Sequence, residues 1–290
     1  MLGAAGCAGP LTIVAGGDLH LGPRSALPLA PLADVLRGDL RLCNLEGPLV
    51  DGCAPRGEVL CGPVDRAGAL RERIDVAVLE NNHVDDQGPA GRASTERALA
   101  SSGVLAAGAR TELVRRGQRL TILARALPPG ALPAAELLDE IRAAAHRGRT
   151  VVVSLHWGQT GVHLPSPEER AAARALVDAG AVAVLGHGPH TVQPVERYRH
   201  GVIAYSLGNL AFECDCSTES DSFVLRFVVD ARRRVGTIAL HPIEAGVRGG
   251  ASRPSTDAQL RRLLMEIEKG FGVATEERGG LLFVSPTRGD

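Results

Sequence analysis

Lysine is nearly absent from this chain: Lys269 is the only one, so almost the whole basic count is arginine. With abundant Ala, Gly and Pro, this reflects a coding bias before it reflects guanidinium chemistry, and no function is read from the number of arginines. Net charge is missing too. Against 32 basic residues stand 33 acidic ones, which leaves no chain-wide field to steer the protein onto nucleic acid or anionic lipid, although a local anion pocket stays compatible with it. No apolar run reaches the roughly 18 residues a membrane-spanning helix needs. Met1 to Pro10 has neither the basic start nor the apolar stretch of a signal peptide, so a cytoplasmic location is expected. The six cysteines (Cys7, Cys43, Cys53, Cys61, Cys214 and Cys216) lack the paired C-x2-C spacing of a zinc knuckle. They are expected as reduced thiols, with a zinc ion gathered by Cys53, Cys61, Cys214 and Cys216 as the alternative. No internal repeat, low-complexity segment or dividing linker is found, so residues 1–290 are expected to form one domain.

A hydrophobic content of 44% over 290 residues can supply a large core. Short apolar runs alternate with helical stretches, the pattern of an α/β fold. Strands are expected at Leu11 to Ala15, Leu40 to Cys43, Ile74 to Leu79, Thr111 to Arg115, Leu120 to Ala126, Thr150 to Leu155 and Ala181 to Leu185. Helices are expected at Leu29 to Leu36, Ala67 to Arg73, Pro89 to Ser101, Ala134 to His146, Pro167 to Ala179 and Asp257 to Lys269. After residue 190, Thr191 to Arg199, Val202 to Leu207, Ser222 to Val229 and Arg234 to Pro242 have hairpin-like spacing and suggest an antiparallel extension of the sheet, and Leu281 to Val284 is a last strand.

Strand after strand ends in polar residues. The first runs into Asp18-Leu19-His20, whose i,i+2 spacing on an extended segment sets a carboxylate and an imidazole on one face. The second reaches Asn44-Leu45-Glu46-Gly47-Pro48, a turn presenting one carboxylate with two oxygens, suited to bridging cations. The third ends in Asn81-Asn82-His83-Val84-Asp85-Asp86, too polar for a core, although Asp86 could simply cap the next helix. The strand from Thr150 ends in His156-Trp157-Gly158. Gly186-His187-Gly188-Pro189-His190 leaves its strand through a Gly/Pro turn that lets two imidazoles face one point. Tyr205-Ser206-Leu207-Gly208-Asn209 is a further polar break. Taken singly, each has an ordinary structural explanation. Together they matter, because strand C-termini of an open α/β sheet line a common crevice.

The order Asp-x-His, Glu, Asn-His, His, Gly-His-x-x-His resembles the calcineurin-like metallophosphoesterases. The strings NLEGP, NNHVDDQG, HWG, GHGPHTVQ and YSLGN resemble, more closely, the CapA family of poly-γ-glutamate capsule-synthesis proteins, over about residues 11–270. That resemblance implies a metallophosphatase-like four-layer α/β/β/α sandwich with mixed sheets. It also implies two divalent metal ions, with Mn, Fe or Zn suited to the mixed N and O donors and Mn preferred. Asp18, His20 and His190 would hold one ion, Asn82, His156 and His187 the other, with Glu46 bridging. His83 and Asp86 form the implied catalytic pair, His83 as general acid for the leaving group. Arg24, Asn44, Trp157, Gln193 and Asn209 would stand around the ligands or the substrate, Arg24 as an anion-binding group. The implied reaction is hydrolysis of a phosphate ester. The alternatives are an amide or γ-glutamyl hydrolase or transferase on the same site, and a non-catalytic subunit of a synthase complex. A small-molecule or peptide-like substrate and a possible partner subunit follow, with no nucleic acid and no integral membrane segment.

Overall fold

The computed structural model describes residues 9–24, 28–54, 57, 59–213, 219–247 and 249–285. Cys7, Cys214 and Cys216 lie outside them, and half of the alternative zinc grouping with them.

The first half of the chain forms β1 (Leu11–His20), β2 (Leu40–Leu45), β3 (Val76–Val78), α1 (Gly88–Ser101), β4 (Leu105–Ala107), β5 (Arg110–Arg115), β6 (Gln118–Ala126) and α2 (Ala135–His146). There follow β7 (Thr150–His156), α3 (Pro167–Asp178), β8 (Ala181–His187), β9 (Val195–Tyr198), β10 (Gly201–Ala204), β11 (Asn209–Phe212), β12 (Asp221–Val229) and β13 (Val235–Glu244). β14 (Gly246–Val247), β15 (Arg253–Pro254), α4 (Ala258–Gly270), β16 (Thr275–Arg278) and β17 (Leu281–Val284) complete it.

Two mixed sheets result. One runs β16-β17-β13-β12-β1-β2-β3-β4, with β11 beside the end of β1; the other runs β5-β6-β7-β8-β10-β9. In both, the central strands are parallel, β1 to β4 in the first and β6, β7, β8 and β10 in the second. Strand side chains alternate between faces, and that alternation makes the layers. Ile13 and Ala15 of β1 and Val152 of β7 join one core between the sheets. Val14 faces an outer core with α1-side residues such as Leu99, while Val151 and Val153 face α2 and α3. The arrangement is the four-layer α/β/β/α sandwich.

Four features differ from the sequence expectation. Leu29 to Leu36 makes only a 3-10 turn at Ala30–Leu32. Ala67 to Arg73 is likewise a 3-10 segment, Val64–Leu70. The hairpin strands do not extend one sheet: β9 and β10 close the second, while β12 and β13 build the first. The expectation of reduced thiols fails at one pair, since Cys53 and Cys61 are joined by a disulfide, which also removes both from zinc binding. Cys43 is a buried free thiol.

Candidate metal centre

Register sets the site. Asp18 of β1 pairs beside Asn44 of β2, and His156 of β7 lies beside His187 of β8. One pair comes from each sheet, and the parallel strands bring both to the same end of the sandwich. Asp18, Glu46 and His156 offer ligand atoms within 4.8 Å of one another, all three buried. The turn after β8 folds over them. Gly188, at φ +104, gives its N–H to Asp18 Oδ2 at 3.0 Å, and a side chain there would meet the Trp157 carbonyl and the His156 ring. His190 sits in the left-handed region at φ +58, a conformation that costs a non-glycine residue of order 1 kcal/mol and persists where its surroundings impose it. Here the imposed result is an imidazole whose Nδ1 lies 3.3 Å from Asp18 Oδ2 and 3.0 Å from Asn209 Oδ1.

Asn44 is the hub. Its amide nitrogen faces Asp18 Oδ1 at 2.9 Å, Glu46 Oε1 at 3.1 Å and His156 Nδ1 at 3.3 Å. Two N–H groups cannot satisfy three acceptors, so the pocket carries more lone pairs than protons. Two buried atoms are left without a hydrogen-bond partner, Glu46 Oε2 and His187 Nδ1. The latter lies 3.3 Å from Asp18 Oδ1 without the geometry of a hydrogen bond. Unpaired buried lone pairs cost free energy, and a divalent cation is the species that would satisfy them. The residues present therefore fit a metal.

The electrostatics agree. Burial works to raise Asp18, but the facing His187 and His190 imidazoles hold it well below its ordinary value. Burial and the Asp18 charge push Glu46 well above its own. Burial depresses His156 to about 4, keeping a lone pair available as a ligand needs. His190 goes the other way: against burial, Asp18 and Glu46 raise it to about 9. Cationic charge is what this cluster of carboxylates draws in.

Other expected residues fall elsewhere. His20 turns away from the cluster, its Nδ1 2.6 Å from the Glu213 carbonyl and its Nε2 3.2 Å from that of Cys61. The register of β1 against β11 shifts between Asp18 and Leu19, so simple i,i+2 alternation breaks there. Asn82 is exposed, and it is Asn81 that is buried. The Asn81 amide donates to Asn44 Oδ1 at 3.1 Å and to the Leu45 carbonyl at 2.7 Å, while its oxygen accepts the His83 N–H at 3.0 Å. Two adjacent asparagines in a turn look alike in sequence, and only the turn's direction tells them apart. Arg24 is held by Glu213, its backbone N–H at 2.5 Å and its Nε at 3.2 Å from the same oxygen. Trp157 packs in the core under α2 and α3 and donates its indole N–H to the Tyr205 carbonyl at 3.0 Å. Gln193 donates to the Val162 carbonyl at 2.7 Å, fixing the loop after His156. His83 and Asp86 do meet, with Nδ1 2.8 Å from Oδ2, and Asp86 also accepts the Leu60 N–H at 2.6 Å. Phe212, which the sequence reading did not single out, lies 4.6 Å from the His190 ring and 5.7 Å from the His20 ring, between centroids.

A sandwich with donors at the strand ends of both sheets is a metallophosphatase-like fold, and solved structures share it. The 5'-nucleotidase precursor from Thermus thermophilus superimposes with a TM-score of 0.51 at 16% identity, over 90% of this chain and 59% of that one. A hypothetical protein from the same organism gives 0.54 at 18% identity, over 81% and 99%. The chain belongs to the family described as bacterial capsule synthesis protein PGA_cap, whose model matches residues 12–127 and 117–214. Among curated relatives it is 36% identical over 125 residues to the capsule biosynthesis protein CapA of Bacillus anthracis. It is 31% identical over 156 residues to the PGA biosynthesis protein CapA of Bacillus subtilis. These matches cover 41% and 53% of this chain, but only 30% and 41% of those two relatives. A probable polyglutamine synthesis accessory protein of Mycobacterium tuberculosis is 26% identical over 86% of this chain and 77% of its own length. No helix among the described residues is long and apolar enough to cross a membrane.

Proposed function

We propose that this protein is a metal-dependent hydrolase, with divalent cations held by Asp18, Glu46, His156, His187 and His190. The observation that carries this is the pair of orphaned buried atoms, Glu46 Oε2 and His187 Nδ1, on residues that gather around Asp18. The carboxylate–imidazole set suits Mn, Fe or Zn. Two such ions would be bridged by Glu46. When bound, divalent cations polarise the substrate oxygen and make water a competent nucleophile near neutral pH.

The protein supplies orientation and a proton. Asn44 and the Gly188 N–H fix the oxygens of Asp18 and Glu46. A carboxylate can only accept, so the His83 Nδ1–H donates to Asp86. In the imidazolium form Nε2 carries the second proton, and it is then the atom that passes a proton to the leaving group, leaving the neutral ring with Nδ1–H on Asp86. His20 lends structure, tying the end of β1 to the carbonyls of Glu213 and Cys61.

A phosphate ester is the substrate class most in keeping with the fold. The pairing of Arg24 with Glu213 favours a second reading, an amide or γ-glutamyl bond, whose uncharged carbonyl needs no guanidinium. A role as the accessory subunit of a polyglutamate-forming assembly has the names of the relatives behind it. The Cys53–Cys61 disulfide favours an oxidising compartment over the expected cytoplasm.

The test is elemental analysis after Mn, Fe or Zn reconstitution, beside His156→Ala. Stoichiometric metal that falls in the variant is expected, followed by turnover of p-nitrophenyl phosphate or a γ-glutamyl anilide. His83→Ala should then lower kcat by roughly 10²–10⁴-fold with metal retained. Failure to retain metal under any condition would overturn the hydrolase reading.

A further inference from the structure

At the end of the sandwich opposite the metal centre, three hairpin turns each carry an arginine in the left-handed region. Arg116 (φ 51) joins β5 to β6, Arg199 (φ 49) joins β9 to β10, and Arg233 (φ 59) joins β12 to β13. The turns share that end: Val235 gives its N–H to the His200 carbonyl at 2.8 Å, and Gln118 reaches the Val229 carbonyl at 3.3 Å. Gly or Asn would adopt this conformation at less cost, and all three turns at this end carry arginine there instead.

The β12–β13 turn goes furthest. Asp230 Oδ1 accepts the N–H groups of both Arg232 and Arg234, at 2.9 and 2.8 Å. The Arg233 N–H donates to the Asp230 carbonyl at 3.0 Å. The backbone is thereby locked and three consecutive guanidiniums project from it. With His200 they line a cleft of about 450 Å³ whose apolar lining is Ala145, Gly180 and Val182.

Several arginines elsewhere are paired with carboxylates, as in Arg41–Asp75, Arg92–Glu80, Arg125–Glu140 and Arg174–Glu196. Here the nearby carboxylates are already engaged. Asp178 holds Arg199 at 2.9 Å, Asp39 lies 3.6 Å from Arg116, Glu112 holds Arg110 and Arg149, and Asp230 serves the turn amides. No carboxylate among the described residues pairs with Arg232, Arg233 or Arg234. Burial and the Arg234 guanidinium hold His200 below its ordinary value, so the charge of the cleft is guanidinium charge.

We propose that this cleft binds an acidic peptide segment, a run of side-chain carboxylates taken by Arg232, Arg233 and Arg234. Guanidinium forks bind carboxylates in pairs of parallel hydrogen bonds. The amides of the turn are spent on Asp230, so there is no backbone nest for a single compact phosphate. No Phe, Tyr or Trp lines the cleft to stack a nucleic-acid base. The site lies at the far end of the strands from the metal centre and does not depend on hydrolysis.

Fluorescence anisotropy with a labelled oligo-glutamate peptide tests this on the full chain. The comparison is with Arg232→Gln/Arg233→Gly/Arg234→Gln, in which glycine suits the left-handed position. We expect at least a tenfold loss of affinity with unchanged melting temperature and metal content. An Arg-to-Lys triple, which keeps charge but loses the forks, should weaken binding several-fold. Equal binding by wild type and the Gln/Gly/Gln variant would overturn the proposal. So would displacement of the peptide by inorganic phosphate at matched charge, since that defines a simple anion site. Should the triple variant lose its melting transition, Arg232→Gln/Arg234→Gln, at two exposed positions, decides the matter by the same comparison.

Discussion

Asn44 ties the residues of the candidate metal centre together. Its amide meets Asp18, Glu46 and His156 together, while its oxygen is held by Asn81. Hydrogen bonds of this kind fix ligand rotamers, and their loss generally costs 10- to 100-fold in metal affinity. Asn44→Ala is therefore expected to weaken metal binding by about that factor with the fold preserved, measured by chelator competition beside circular dichroism. Metal affinity equal to wild type would show that the ligands are held by packing alone. At this scale the sequence was only partly legible. Asp18, Glu46, His156 and His187 lie at or just past strand ends, because each is reached through an apolar run that forms a buried strand, and His190 lies in the turn that follows. Asn82 and His20 do not join them. A turn decides which of two asparagines points inward, and a register shift decides which way a strand-end histidine faces, and neither leaves a mark in composition or spacing.

At the level of elements, the long apolar strands and the helix α3 were plain in the sequence, and the fold adds a Ser166–Glu169 capping box at its start. The assignment of hairpins to sheets was not, since pairing depends on contacts distant in the chain. The docking of α4 is one such contact. Glu268 of α4 is buried and accepts the Val195 N–H of β9 at 2.8 Å, with its other oxygen unpartnered. Burial raises it from the ordinary 4.5 to about 8. Below about pH 4.5 the folded and unfolded forms hold this proton equally; above it the unfolded form releases it first, so stability falls as pH rises toward 8 and then levels. Glu268→Gln keeps the acceptor and removes the titration. Its melting temperature is expected to match wild type near pH 5 and to exceed it by several degrees near pH 8; parallel melting curves at the two pH values would refute the assignment. The loop from Cys53 to Cys61 is a second such device. Its disulfide closes a short ring, worth about 2.5 kcal/mol in the chain-entropy account, and the neighbouring Leu60 N–H holds Asp86 against His83. Cys53→Ser/Cys61→Ser is expected to lower chemical-denaturation stability by about that amount and to leave metal content unchanged.

For the molecule as a whole, the metal centre is also the seam. Asp18 lies near the end of one strand and Glu46 just after another in the same sheet, and His156 and His187 end strands of the other. The apolar core between the sheets holds them together along their length, but at this end the facing groups are a depressed aspartate, an elevated glutamate and imidazoles. Without a cation, burying these groups opposes closure of the sandwich. With one, ligands from both sheets share a partner, and binding to the folded state alone stabilises it by RT ln(1 + [L]/Kd), about 2.7 kcal/mol at a hundredfold excess over Kd. Calorimetry should therefore show a melting temperature that rises on adding Mn or Zn and falls in EDTA. Glu46→Gln should narrow that span from both sides, more stable than wild type in EDTA because the buried carboxylate is gone, and less responsive to metal because a ligand is gone. A span as wide as that of wild type would place the ion outside the seam, and the two sheets would then owe their closure to the apolar core alone.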